Sequence, residues 1–275
     1  MNKSIYTRPK DLPDFSSPPL TEVVFGVQFQ PASGYQQIYA GDVWKLFREN
    51  YPQVQEQGPI APTFETFGLS SQLTAGQLNF VTGAMHDRFW FLSPGEGNEL
   101  IQFQHDRLLH NWRKLGETSS EYPRFQYMLE KFSEELNLFE FFTKQSFSEA
   151  LNINQCEITF INQIDVSDFT GSEAKNWLKF LNFDHISADD FSLTFRETVN
   201  GSHGKPQGRL IVEAASALDR KGNKIIRLSL TVRGAPNDST IKSALEFLTI
   251  GHDLIVNRFS DITTSDAHQK WGKVS

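Results

Sequence analysis

Two strand-like segments constrain this chain more than any other feature of its sequence. "EVVFGVQF", which begins at Glu22, and "EITFINQI", which begins at Glu157, align without a gap at Glu, Phe and Gln. Apolar residues occupy every second position from Val23 to Phe29, which is the period of a strand with one face on a core. The two segments are half a chain length apart, so the sequence indicates an internal repeat.

The order of the predicted elements supports that repeat. Each segment is followed by a helix that carries a tryptophan, then by short strands, and then by a long amphipathic helix. We therefore predict an α+β fold of two similar β-α-β(3–5)-α halves, with mainly antiparallel sheets, each packed under its long helix. Residues 1–17 are predicted to form an extended N-terminal arm, 18–145 the first half and 150–275 the second. A pseudo-repeat of this kind leaves open whether the two halves are fused in one domain and share a continuous sheet.

The strand and helix predictions rest on periodicity and on turn residues. The predicted strands after the first repeat segment are Thr63 to Leu69, Leu78 to Gly83, Arg88 to Leu92, Leu100 to His105, Leu108 to Trp112, Phe191 to Thr198, Arg209 to Ala217 and Ile225 to Val232. One long helix is predicted from Pro123 through Phe139, and the closing helix from about Asn237 to Ile262.

Composition excludes several classes of protein. The formal net charge of -7 argues against a nucleic-acid binder, because such proteins usually carry a basic surplus. No apolar run is long enough to span a membrane, and the N-terminal residues contain no stretch that could act as a signal peptide. Cys156 is the single cysteine, so no internal disulfide can form, and a cytoplasmic location is expected.

The hairpin in "QFQHDRLLHNW" holds the candidate catalytic residues. His105 and His110 flank its turn and Asp106 lies between them, so the three could approach one another in a hydrolase or nuclease site. A zinc site needs three or four ligands, and only two histidines are visible here. We therefore expect no metal and no cofactor.

The same hairpin supplies the candidate binding residues. Arg107, Arg113 and Lys114 form a small basic group beside Trp112, which is the minimal pattern of a nucleic-acid patch. Alternatively, these basic residues only form the solvated end of the hairpin and bind nothing.

Two further residues have a structural interpretation. His252 follows the apolar stripe of the closing helix, which favours a buried, hydrogen-bonded histidine over a general base or ligand. Cys156 lies among apolar neighbours on a strand, which favours an inert buried thiol.

Several segments together resemble a known group of proteins. They are "PPLTEVVFGVQF", "LIQFQHDRLLHNWRK", "YPRF", "EITFINQID" and the terminal "HDLIVNRFSDITT" with "WGK". This set is similar to a sporadically distributed family of prokaryotic conserved hypothetical proteins with a Pro-Leu-x-Glu-Val-Val N-terminal strand. The resemblance covers Pro18 to Lys273, and the segment "EITFINQ" departs from the family's Gly-Leu-Arg-Tyr pattern. It implies a bacterial or archaeal protein from a mobile-element or defence-type locus, and it supplies no activity.

These observations favour a non-catalytic binding or interaction protein. Its expected partner is another protein or a second copy of the chain, with a small ligand as a further option; no membrane is expected. The first alternative is the hydrolase or nuclease site on the hairpin, and the second is a nucleic-acid binder.

Overall fold

The computed structural model describes residues 6–68, 86–115, 121–166, 174–182, 188–201 and 204–274. The strands in these ranges are β1 (Leu20–Phe29), β2 (Gln53–Gln57), β3 (Arg88–Leu92), β4 (Glu99–Gln104), β5 (Arg107–Arg113), β6 (Ile153–Asp165), β7 (Ser192–Asn200), β8 (Pro206–Leu218) and β9 (Lys224–Gly234). They form one sheet in the order β2-β3-β4-β5-β1-β6-β9-β8-β7, and every neighbouring pair is antiparallel.

The helices in the described ranges are α1 (Ala40–Phe47), α2 (Phe125–Phe147), α3 (Ile241–Ile262) and α4 (Ser265–Lys270). Short 3-10 turns lie at Gln37–Tyr39 and Ala174–Asn176. The buried positions of α2 and α3 recur at helical spacing, so each helix lays one apolar side on its neighbours. Thr240 caps α3, because its hydroxyl accepts a hydrogen bond from the Ser243 N–H.

The predicted architecture of two similar halves, each with its own sheet under a long helix, is wrong. All nine strands belong to one continuous sheet, and the two aligned segments, in β1 and β6, are hydrogen-bonded to each other at its centre. Phe25 of β1 lies opposite Ile158 of β6. If each segment belonged to a separate sheet, one edge of each of these buried strands would lack backbone partners. Backbone N–H and C=O groups are costly to bury unpaired.

The sheet has two different faces. On one face the odd-numbered side chains of β1, from Val23 to Phe29, pack under the helices, and the Phe25 ring contacts those of Phe125 and Phe132 on α2. The alternate side chains point to the opposite face, which we call the open face. None of the described helices covers that face, and it carries polar and charged residues such as Gln28.

Periodicity placed most strands correctly, but it missed β2, and the predicted helix that carries Trp177 is only a 3-10 turn at Ala174–Asn176 in the described residues. Arg88 to Leu92 is confirmed as β3, whereas residues Thr63 to Gly68 form no strand, and the predicted strand from Leu78 to Gly83 lies outside the described residues. The chain from Gly58 to Gly68, which we call the strap, instead crosses the open face in an irregular extended form. Side chains of the sheet satisfy its backbone, which alternation of residue types cannot reveal.

Candidate functional site

A cavity of about 330 Å³ lies where the N-terminal segment, α2, α3 and the sheet meet. Its walls are mainly apolar, and ligand pockets usually start near this volume. Tyr6 and Phe15 from the N-terminal segment form one side, and Phe125 begins α2 at another. The remaining apolar lining comes from Pro13, Pro18, Leu20, Phe160, Leu230, Ile255, Val256 and Phe259.

His252 of α3 is one of the polar residues in this lining. Its Nδ1 lies 2.8 Å from Oδ1 of Asp253, and the hydroxyl of Tyr6 donates to the same oxygen at 3.1 Å. Because a carboxylate only accepts hydrogen bonds, Nδ1 carries the hydrogen and Nε2 of the neutral ring is an acceptor. Burial lowers the pKa of His252, although Asp253 opposes that shift, so the ring stays neutral near pH 7.

The His252 ring is also held by aromatic neighbours. It stacks on Phe125, with ring centroids 3.9 Å apart and planes 18° apart, and the edge of Tyr6 meets it at 5.6 Å. The predicted burial of this histidine is confirmed, because only 3% of it is exposed. Stacking and hydrogen bonding together fix the orientation of the imidazole at the cavity wall.

Tyr122 contributes an unpaired polar atom to the cavity. Its hydroxyl is buried and has no hydrogen-bond partner among the described residues, while its ring packs on Trp112 and Phe160. Burial raises the pKa of Tyr122 far above its usual range, so the group stays a neutral O–H donor. A buried hydroxyl without a partner is costly, and a bound molecule could relieve that cost.

Charged side chains mark the opening of the cavity. Arg8 and Arg124 both contact Asp14, at 3.8 Å and 3.0 Å, and all three are partly exposed. Two guanidinium groups against one carboxylate leave a net positive charge at this opening. Arg124 also has φ 75° and ψ 154°, a region that residues other than glycine rarely occupy, so its backbone is strained.

A second buried histidine, His110, forms a closed network on the same face of the sheet. Its Nδ1 lies 2.9 Å from Oε2 of Glu135, whose other oxygen accepts a 2.7 Å hydrogen bond from Tyr51. Its Nε2 has no hydrogen-bond partner in the part of the chain that the structure describes, and it lies 3.9 Å from Glu99, which in turn pairs with Lys131. The ring of His110 is fully buried and lines none of the cavities described in this article.

The three predicted catalytic residues make separate sets of contacts. His105 stacks on Tyr35 and meets His86 at a centroid distance of 4.8 Å. Asp106 accepts hydrogen bonds from Arg107, and His110 belongs to the closed network. Burial lowers the pKa of His105. A catalytic role for the His105/Asp106/His110 hairpin stays a prediction.

The predicted binding residues are divided between the two faces of the sheet. Trp112 is buried on the helix-covered face, while Arg107 on the open face is buried in its pair with Asp106. Arg113 lies over the ring of Trp90 at 5.2 Å and donates to the Gly97 carbonyl. The backbone of Lys114 pairs with Thr21. Their role in binding nucleic acid or protein also stays a prediction.

Other classes of site leave no trace in the described ranges. No group of three His, Cys, Asp or Glu side chains there could hold a metal ion, and no described helix is long and apolar enough to cross a membrane. Cys156 is buried, as predicted, and burial raises the pKa of its thiol, so the thiolate form is disfavoured.

Sequence reasoning missed most members of the cavity. Tyr6 and Asp253 join His252, yet Tyr6 is 246 residues away in the chain and lies in a segment without a regular pattern. Tyr122 precedes α2 and has no periodicity that marks it. The helical stripe containing His252 was the one available signal. Comparison with models of protein families, with curated proteins and with solved structures gave no match.

Proposed function

We propose that this protein is a non-catalytic binding protein whose cavity takes a small, flat, acidic molecule with a hydroxyl at its buried end. The observation that carries this proposal is the 330 Å³ cavity, which is lined by His252 and by a Tyr122 hydroxyl that is buried and has no hydrogen-bond partner among the described residues. In the setting that the resemblance implies, such a protein acts as an accessory component of a mobile-element or defence-type locus.

The walls support a flat apolar body. Phe125, Phe160 and Phe259 line the cavity with aromatic rings, and removing apolar surface of a ligand from water contributes roughly 25 cal/mol per Å². A fused bicyclic ring system is flat enough to lie against such rings. The binding energy of this part depends on shape and gives little selectivity for polar groups.

The polar atoms support a hydroxyl at the buried end. The O–H of Tyr122 donates, and Nε2 of His252 accepts, so a single ligand hydroxyl has the chemistry to satisfy both. A site built to pair with a hydroxyl discriminates strongly against an analogue that lacks it, since its own buried polar groups then stay unpaired. The guanidinium groups of Arg8 and Arg124 favour a carboxylate at the opening.

A matched set of fluorescent probes tests this proposal. We expect 6-hydroxy-2-naphthoate to bind, and 2-naphthoate, which lacks the hydroxyl, to bind about tenfold more weakly in a fluorescence titration. Tyr122→Phe should remove most of that difference, because it deletes the donor that reads the hydroxyl. Melting temperatures of all variants exclude unfolding as the cause.

A variant that fills the cavity gives the control. Val256 lines the cavity and is only partly buried, so Val256→Trp should abolish binding of both probes while the protein still folds. Ile38→Trp adds the same side chain at a position that is 81% exposed, and it should leave binding unchanged. Equal binding of the hydroxylated probe to the wild type and to Val256→Trp would refute the proposal.

A further inference from the structure

The strap, Gly58–Gly68, lies over a row of polar side chains on the open face. Gln104 of β4, Arg107 of β5, Gln28 of β1 and Gln155 of β6 are register partners on four adjacent strands. Because register partners share a face, their side chains form a line across the sheet. The strap crosses the sheet along this line.

Two glutamines of the row hold the backbone of the strap. The Ile60 N–H donates to the Gln104 side-chain carbonyl at 2.8 Å, and the Gln104 amide donates to the Ile60 carbonyl at 2.9 Å. Gln28 makes the same pair of bonds with Thr63, both at 2.9 Å. Each glutamine therefore acts as a backbone partner, and neither bond depends on the side chain of the strap residue.

Two arginines hold the far part of the strap. Arg209 of β8 donates to the carbonyls of Thr66 and Gly68, and Arg233 of β9 pairs with the carboxylate of Glu65 at 2.7 Å. The second Glu65 oxygen lies 3.6 Å from Arg209. Glu65 is the one strap residue whose side chain is buried between charged partners, so it anchors the segment.

The dimensions agree with a fully extended chain. From β4 to β8 there are five strand spacings, which cover about 24 Å. The eight residue-to-residue steps from Ile60 to Gly68 cover about 27 Å when the chain is extended. The apolar strap residues Phe64 and Phe67 are 56% and 41% exposed, so the strap is held by its backbone and by Glu65 and contributes little to the core.

The strap leaves part of the row unused. Gln155 is 93% buried, its Oε1 has no hydrogen-bond partner among the described residues, and it lines cavities of about 160 Å³ and 280 Å³ beside the strap. A buried acceptor without a partner is costly unless something pairs with it. This third glutamine offers another backbone N–H the same kind of acceptor that Gln28 and Gln104 use.

We propose that the open face is a groove for an extended segment of a partner protein, a segment with an acidic residue that binds Arg209 and Arg233. The strap occupies this groove in cis and must leave before the partner enters. The glutamine row forms hydrogen bonds with the backbone of the segment, and the two arginines bind its carboxylate. This proposal is independent of the cavity on the other face.

The test releases the strap and returns it as a separate peptide. Glu65→Lys in the full chain places an ammonium group between Arg209 and Arg233, so hydrogen exchange of the strap amides should rise. A labelled peptide with the sequence of residues 57–68 should then bind this variant about tenfold more tightly than the wild type in fluorescence anisotropy. Glu56→Lys, the same charge change on the exposed surface of β2, should alter neither result.

Two further changes identify what the groove reads. Gln28→Ala in the Glu65→Lys background should weaken the peptide about tenfold, through loss of both backbone bonds. A peptide with Lys in place of its Glu should not bind. The partner-peptide proposal is overturned if strap exchange stays at the wild-type rate in Glu65→Lys, or if the strap is released and the peptide still fails to bind. A wild-type dimer that Glu65→Lys dissociates would assign the groove to a second copy of the chain and would likewise overturn it.

Discussion

His110 and His252 are both buried, and in each case Nδ1 lies close to a carboxylate beside a tyrosine hydroxyl. The His110 network uses Glu135 and Tyr51 and lies between the sheet and α2. The His252 network uses Asp253 and Tyr6 and lies where the N-terminal segment meets α3. The chemistry of the two networks is similar, so the surrounding packing decides which of them can bind a ligand.

The packing differs in one respect. Around His110 the polar partners are themselves buried, and the free ring nitrogen lies near the Glu99 carboxylate. Around His252 the N-terminal segment leaves a cavity, and Asp253 is partly exposed. The two histidines therefore share burial and an acidic neighbour, and they differ in that only His252 lines one of the cavities described above.

The largest expected effect separates the two carboxylates. Glu135→Gln should lower the free energy of unfolding by about 1 to 3 kcal/mol, because the amide NH₂ then faces buried donors from which the carboxylate accepts. Asp253→Asn should cost about 1 kcal/mol or less, since that side chain is 30% exposed. Urea denaturation measures both, and equal losses would contradict the distinction between a closed and an open network.

The next effect concerns ligand binding. His252→Phe should weaken 6-hydroxy-2-naphthoate about tenfold, because the phenyl ring can still stack but offers no hydrogen-bond acceptor at the cavity wall. Glu135→Gln should leave the affinity of the folded protein unchanged. Calorimetric titration at a temperature where both variants are folded makes this comparison, and a loss of affinity in Glu135→Gln would mean that the two networks are coupled.

A smaller effect concerns the strained residue at the opening. Arg124→Gly should raise the free energy of unfolding by about 1 kcal/mol, because glycine adopts a positive φ without strain. It should also weaken naphthoates about twofold, through the lost charge. Ser148→Gly removes the other non-glycine positive φ in the described ranges, at the far end of α2, and should stabilise the protein without changing affinity.

The smallest effect is on the pH dependence of stability. The pKa of His252 in the folded protein is lowered by burial, so the unfolded chain, with a value near 6.5, binds the proton first. The stability that depends on a neutral His252 is therefore fully present above about pH 6.5, and it is lost as the pH falls below that value. His252→Gln should reduce the loss of stability between about pH 7.5 and 5.5, measured by urea denaturation.

A variant of Asp253, the hydrogen-bond partner of His252, gives a second test of this pH dependence. Asp253 raises the pKa of His252 and so offsets part of the effect of burial. Asp253→Asn should therefore make the loss at low pH steeper than in the wild type. His105 and His268 also have lowered pKa values, which is why the comparison rests on the difference between variants.

Local pattern predicted elements better than it predicted their arrangement. Alternation located β1, β3 and β5, and helical spacing located α2 and α3, because each signal lies within one element. Strand pairing is not local: β1 binds β6 across more than a hundred residues, so a repeat signal was misread as two separate sheets. The strap was misread as a strand because side chains such as Gln28 bind its backbone.

The site was less accessible to sequence reasoning than the fold. His252 was correctly predicted to be buried, because it follows the stripe of α3, but that prediction favoured a structural role. The cavity arises from how the N-terminal segment packs, and Tyr6 carries no periodic signal there. Glu135 lies on the buried side of α2, where a carboxylate at a helical position gave no indication of its partner.

The central position of β1 has a consequence for synthesis on the ribosome. β1 precedes every other described strand in the chain, and its partner at one edge, β5, follows within the same part of the chain, while β6 comes later. At roughly 5 to 20 residues per second, the other edge of β1 stays unpaired for several seconds of translation. During that interval the nascent chain exposes an open apolar strand edge, and chaperone binding at Leu20–Phe29 should protect it from aggregation.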